Sequence, residues 1–400
     1  MKIGLYGIYG TYNFGCEAIV RGAVKFIRNN FDSCEIVYFS YSYEFDRKAL
    51  SDLDIRIVPV ENKRTFIVRV INKMFSIMNF EKRIFTIPFK KIMDQVDIIF
   101  SIGGDIYTIP AYLREKKKYP YYNHLVDFCN EAVSCDKRII VYGASVGPFG
   151  SYKKAVDYYV KNLSKYEKIL CREQDSVDYL KKLGLDNMIF FPDPAFTVRQ
   201  EQAEEVKQQY IGVNLSPLSL NETNGSYGEQ EIKSMASLMD RLIKETNENL
   251  LFIPHVISEN PNDNDYIFLK KVYEVMSYKE NVSFADHSGG FLGIKKQLRE
   301  CKIVISARMH CAINAVCENV PTIFLSYSQK SIGMCKYVYG NEKWVIKLKN
   351  INTDLMSKVK ELLNNRNEVC KVLVDRNRGI QEYITNNRHS LKIGDDKLNG

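Results

Sequence analysis

Lys2-Ile3-Gly4-Leu5-Tyr6 runs straight into Gly7-Ile8-Tyr9-Gly10-Thr11-Tyr12-Asn13-Phe14-Gly15-Cys16-Glu17-Ala18, and this opening stretch decides the fold. Five mostly apolar residues make a strand. A glycine-rich loop follows, and a helical pattern runs over Glu17–Asn30. The same strand, small-residue loop, amphipathic stretch recurs along the chain. Further strands are expected at Glu35–Ser40, Ile55–Val60, Asp97–Ser101, Arg138–Tyr142, Lys168–Cys171 and Met188–Phe191. A second series is expected at Ile211–Leu215, Asn249–Pro254, Val282–Ala285, Lys302–Ser306, Thr322–Ser326 and Trp344–Ile346. Continuous runs of Ile, Val, Leu and Phe suit strands buried on both faces of a parallel sheet. Strands alternating with helices predict an α/β protein, and two series predict two doubly wound, Rossmann-like domains.

The 400-residue length agrees, since domains average about 150 residues. The expected division is 1–198, 199–366, and a C-terminal helix and tail over 367–400, with the join in the polar stretch Thr197–Gln209. A last helix is expected over Glu368–Tyr383, with a frayed end beyond Ser390. Composition is 45% hydrophobic and 26% charged, which excludes a disordered, collagenous or coiled-coil chain. Runs free of Asp, Glu, Lys and Arg reach only 14 residues, as over Ile139–Tyr152. A membrane-spanning helix needs about 18 or more, so none is expected. The first residues read as a strand and not as a signal peptide. Ten cysteines without a Cys-x-x-Cys pair read as buried thiols in a reducing compartment, the cytoplasm. Five histidines without ligand spacing argue against a metal.

The formal net charge is +8. Between Glu61 and Lys91 there are eight bases (Lys63, Arg64, Arg69, Lys73, Lys82, Arg83, Lys90, Lys91) against two acids, Glu61 and Glu81. Large apolar residues are interleaved with them. Two readings stand: a core-facing helical pair with a basic rim, or a patch resting on an anionic membrane, a peripheral contact at its inner face. Nucleic acid is not expected as a partner, because no recognition motif accompanies the charge.

In open α/β sheets, ligands bind beyond the carboxyl ends of strands. The residues there are Asn13, Gly15 and Glu17 after the first strand, then Gly103-Gly104-Asp105, then Gly143 to Pro148, then Arg172. In the second series, His255 ends one strand and His287-Ser288-Gly289-Gly290 follows another. The sharpest feature is Ser306-Ala307-Arg308-Met309-His310, which places a guanidinium fork and a titratable imidazole at one strand end. The alternative reading of His310 is a buried capping histidine. Ser326-Tyr327-Ser328-Gln329-Lys330 adds a second cation after the next strand.

In order, Asn13-Phe14-Gly15-Cys16-Glu17-Ala18, Gly103-Gly104-Asp105, Gly147-Pro148, Cys171-Arg172-Glu173…Ser176, Asp193-Pro194-Ala195, Arg308-Met309-His310 and Ser326-Tyr327…Lys330 resemble the polysaccharide pyruvyl transferases. The resemblance implies two Rossmann-like domains facing a cleft, GT-B-like, with the acceptor on the N-terminal side and the donor on the C-terminal side. It also implies transfer of the enolpyruvyl unit of phosphoenolpyruvate onto two hydroxyls of a sugar, with no cofactor. Within that scheme Arg308 and Arg172 meet the donor's carboxylate and phosphate, with Lys330 as a further cation. His310 delivers the proton, and Asp105 accepts one or orients the sugar. Asn13, Gly15, Glu17, Gly103, Gly104, Ser288, Gly289 and Tyr327 line the substrates. Cys16, Ile102 and Ser145-Val146 depart from the usual Asp, Gly and Gly-Ile, which bears on the acceptor more than the donor. Two rival readings are a GT-B glycosyltransferase with a nucleotide-sugar donor and a catalytically silent glycan-binding protein.

Overall fold

A computed structural model describes residues 1–31, 33–61, 66–78, 84, 87–109, 114, 124–198, 206–225, 227–327 and 329–387. The chain divides into two compact units. Met1–Thr11 and Ile19–Pro194 form the first. Tyr12–Ala18 and the chain from Ala195 on form the second. Residues 199–205 of the expected join, the bases Lys63, Arg64, Lys82 and Arg83, Ser328 and the tail from residue 388 lie outside the described residues.

The first unit is built on seven parallel strands: β1 Lys2–Tyr6, β2 Glu35–Ser40, β3 Arg56–Pro59, β4 Ile98–Ile102, β5 Arg138–Ala144, β6 Lys168–Cys171 and β7 Met188–Phe190. Their order across the sheet is β3-β2-β1-β4-β5-β6-β7. The second unit holds six: β8 Tyr210–Asn214, β9 Asn249–Phe252, β10 Val282–Phe284, β11 Cys301–Ser306, β12 Thr322–Ser326 and β13 Val345–Lys347, in the order β10-β9-β8-β11-β12-β13. Every pairing is parallel. Both orders reverse direction once, at β1/β4 and at β8/β11, which are the switch points where doubly wound sheets take ligands. All of β4 is buried, as its unbroken Ile-Ile-Phe-Ser-Ile demands of a central strand with helices on both faces.

Each sheet has its own core. Tyr6, Ile99, Val141, Phe128 and Phe149 anchor the first, and Val213, Phe252, Ile305, Leu325 and Leu355 the second. Phe14 and Ala18 belong to the second core although they follow β1. Thus the first turn of the helix Phe14–Asn30 groups with the C-terminal unit, and a domain boundary near 198 misses this excursion. The reason is local. The bridge of Asn13 to Val256 and the bond of the Phe14 N–H to the His255 carbonyl at 3.0 Å tie the loop to the end of β9.

The helix Phe66–Ile77 departs from the core-facing reading. Phe66, Ile67, Val70, Met74 and Ile77 are all exposed. Among the described residues no helix is long and apolar enough to cross a membrane.

Candidate active site

In the second unit the ends of β8, β9 and β11 converge on Arg308. Asn214, the last residue of β8, accepts the Arg308 backbone N–H at 2.9 Å and the Ser306 hydroxyl at 3.2 Å through Oδ1. Its Nδ2 donates to Asp265 at 3.1 Å. Asp265, fully buried, also accepts the backbone N–H groups of His255 and Val256 at 3.1 and 3.2 Å. Arg308 donates from Nε and Nη2 to Asp265 at 3.1 and 2.9 Å, and from Nη2 to Asp263 at 2.6 Å. Its side chain is 11% exposed. Burial by itself would ease the proton off Arg308, but the carboxylates of Asp265 and Asp263 outweigh it and hold the guanidinium charged. Burial raises the Asp265 carboxyl above its ordinary value, with the Arg308 fork and the N–H donors opposing. Nη1 of Arg308 makes no hydrogen bond among the described residues, which leaves that one nitrogen of the guanidinium uncommitted.

Arg308 is also the cap residue of the helix Met309–Cys317 and supplies no side-chain bond to it. His310 therefore stands in the first turn, where backbone N–H groups and the helix dipole favour an anion. The ring of His310 lies against Gly15. A β-carbon there would sit 2.6 Å from Nδ1, so this approach requires glycine. Asn13 caps the helix Phe14–Asn30, its Oδ1 accepting the Gly15 N–H at 2.9 Å. Beside them His255 is 1% exposed and its Nε2 has no hydrogen-bond partner. Burial, with the charge of His310 and Arg308 adding, holds its imidazole well below the ordinary value and hence neutral.

Glu17 is buried, and Oε2 accepts the Phe291 N–H at 2.9 Å at the start of the helix Gly290–Leu298. The loop Ser288-Gly289-Gly290, two of whose residues are expected to line the substrates, has the chain's own carboxylate at its helix end. Ser288 turns back on Asp286 through its N–H and hydroxyl, both at 2.9 Å. Tyr327, past β12, packs half-buried on the second core, and Lys330 stands in the first turn of the helix Gln329–Tyr339.

The remaining residues expected at the site belong to the first unit. Gly103-Gly104-Asp105 follows β4 at the switch point, and Arg172 follows β6. Arg172 is 1% exposed and uses all three nitrogens: Nε to the Ser145 hydroxyl at 2.8 Å, Nη1 to Asp193 at 3.0 Å, and Nη2 to Asp105 at 2.9 Å. Gly104 admits this guanidinium, since a β-carbon would stand 3.0 Å from Nη1. Arg172, expected to meet the donor, pairs with Asp105, whose carboxylate is 52% exposed.

Sequence reasoning missed Asp263, Asp265 and Asn214 and quoted Asp193 without giving it a role at the site. Asn260-Pro261-Asn262-Asp263-Asn264-Asp265 reads as a solvated turn, and nothing in its pattern marks one carboxylate as fully buried. The one available sign is Asn264 as a helix cap, which puts Asp265 at a first turn.

The two parallel-sheet units define a GT-B-like protein. Solved structures agree on the fold. A putative UDP-N-acetylglucosamine 2-epimerase from Listeria monocytogenes superposes with a TM-score of 0.63 at 11% identity, covering 98% of this chain and 97% of that one. The UDP-GlcNAc 2-epimerase of Neisseria meningitidis, bound to UDP-GlcNAc, gives 0.57 at 12% identity, with 97% and 100% covered. The S. aureus MnaA–UDP structure gives 0.58 at 10%, with 96% of each chain covered. At such identities the likeness is one of fold. No curated protein matches the sequence at a significant level. The polysaccharide pyruvyl transferase profile, however, matches residues 13–329, most of the chain, and the protein belongs to that family.

Proposed function

We propose that the protein moves the enolpyruvyl unit of phosphoenolpyruvate onto two hydroxyls of one sugar in a cell-surface polysaccharide or its lipid-linked precursor, forming a pyruvate ketal and releasing phosphate. The observation that carries this reading is the pairing of Arg308, whose Nη1 is uncommitted among the described residues, with His310 in the first turn of a helix at the switch point of the second sheet. A small donor bearing a carboxylate and a phosphate suits such a place. The Nη1 N–H groups of Arg308 and the helix N–H groups serve its oxygens, and Lys330 adds charge. Asp265 and Asp263 keep the guanidinium in register.

In the first step His310 delivers a proton to the methylene carbon of the donor. The carbon bearing the phosphate becomes oxocarbenium-like, and a sugar hydroxyl attacks it and releases its proton. The C–O bond to phosphate then breaks. The second hydroxyl closes on the same carbon, and its proton is accounted for by the departing phosphate. Asp105, exposed but fixed by Arg172, is the group we assign to orient or deprotonate the acceptor. No cofactor enters the scheme.

The test incubates the protein with a lipid-linked glycan and either phosphoenolpyruvate or nucleotide sugars, following free phosphate and acceptor mass. The reading requires phosphate release, with the acceptor gaining pyruvate less one water. Release of a nucleotide with glycosyl addition replaces it with glycosyl transfer. Glycan binding without turnover of any donor replaces it with a silent binding protein.

A further inference from the structure

The helix Phe66–Ile77 and the residue after it expose six large apolar side chains: Phe66 79%, Ile67 68%, Val70 41%, Met74 53%, Ile77 73% and Met78 59%. At 100° per residue these six fall within an arc of about 120°, one continuous stripe. Val68, Ile71, Asn72 and Phe75, on the other side, are half-buried. Asn72 donates to the Ile84 carbonyl at 3.0 Å and accepts the Ile84 N–H at 2.9 Å. Arg69 and Lys73, both exposed, flank one edge of the stripe, and the helix holds no acid. Lys90 and Lys91 are exposed further on. A soluble surface seldom shows a contiguous stripe of this kind unless something covers it.

We propose that this stripe is a membrane-docking face, lying in the interface of an anionic bilayer with Phe66, Ile67, Val70, Met74 and Ile77 among the acyl chains. Charge complementarity selects the occupant. A helix with apolar side chains on one arc, bases at its rim and no acid fits a sheet of negative headgroups. Another protein would have to supply an extended acidic surface around an apolar groove. Apolar burial supplies the binding, and the bases select lipid charge. The inference stands on this helix alone and does not depend on which donor or acceptor the enzyme uses.

The full chain is sedimented with vesicles of equal parts phosphatidylglycerol and phosphatidylcholine, and with phosphatidylcholine alone. It should pellet with the anionic vesicles and be released by salt. Arg69→Gln with Lys73→Gln should weaken binding about 25-fold, about fivefold per base. Phe66→Ser with Ile77→Ser should weaken it at least about tenfold. Met74→Trp should shift its emission to the blue on anionic vesicles. All these positions are exposed, so melting temperatures and turnover of a water-soluble acceptor should not change. Failure of the wild type to pellet overturns the proposal, as does binding indifferent to Phe66→Ser with Ile77→Ser. A dimer in solution that this double variant dissociates, with no vesicle binding, would assign the stripe to a second copy instead.

Discussion

The imidazole of His310 lies so close to Gly15 that a β-carbon on the glycine would stand 2.6 Å from Nδ1 and 2.8 Å from Cβ of the histidine. Gly15 is in the first turn of the helix Phe14–Asn30, where alanine is the better helix former by at most about 1 kcal/mol. Forcing a methyl into a filled space costs about 1–3 kcal/mol. The clash therefore wins, and Gly15→Ala should displace the imidazole. We expect turnover to fall by about 10- to 100-fold, a loss equal to a few kcal/mol at most. Phosphate release and a thermal melt, measured together, check whether the ring has moved or the unit has merely loosened.

Arg308 and His310 should fail in different ways. Arg308→Lys keeps charge but loses the fork, so donor affinity should drop on the order of 10- to 100-fold with some turnover left. His310→Gln retains hydrogen bonding but cannot protonate carbon, and should cost about 10²–10⁴-fold in turnover with donor binding little changed. Normal turnover of His310→Gln would make the imidazole a packing group. Arg308→Met should cost about 3–5 kcal/mol, because it strands the buried Asp265 carboxylate. Burial already lifts Asp265 above 3.8, and loss of the guanidinium lifts it further. The native variant then binds more protons than the unfolded chain from about pH 4 upward, so its stability should fall as pH rises through that window. Denaturant titrations at several pH values measure it.

Arg172 binds two carboxylates in contrasting surroundings, 0% exposed for Asp193 and 52% for Asp105. Asp193→Asn breaks a buried pair and should destabilise by about 3–5 kcal/mol. Asp105→Asn touches a solvent-screened pair and should cost at most about 1 kcal/mol, yet depress turnover by about 10²-fold or more. Paired melts and rates would refute the assignment if Asp105→Asn lost stability and kept its rate.

His255 is held well below 6.5 by burial, so the unfolded chain takes up a proton that the native state refuses. Its contribution is present above pH 6.5 and lost as pH falls below it, with a slope approaching about 1.4 kcal/mol per pH unit. His255→Asn should flatten that acid-side slope relative to wild type. Equal slopes for the two proteins, in chemical denaturation between pH 7 and pH 5, would remove His255 as its source.

Local pattern sufficed for much of the molecule. Lys2–Tyr6, Glu35–Ser40, Lys168–Cys171 and Thr322–Ser326 form strands with the limits the sequence suggests, because short, mostly apolar runs between polar or small-residue turns have few alternatives. The two parallel sheets and the strand-end position of Arg308 and His310 were legible on the same grounds. Tertiary structure alone decided the rest. That Tyr12–Ala18 packs with the C-terminal unit, that Glu17 caps a helix starting at Gly290, and that Asp265 is buried under Arg308 all depend on partners tens to hundreds of residues away. Periodicity reports which face of an element is apolar. It does not report which distant carboxylate meets an arginine, because that choice balances desolvation against pairing in three dimensions.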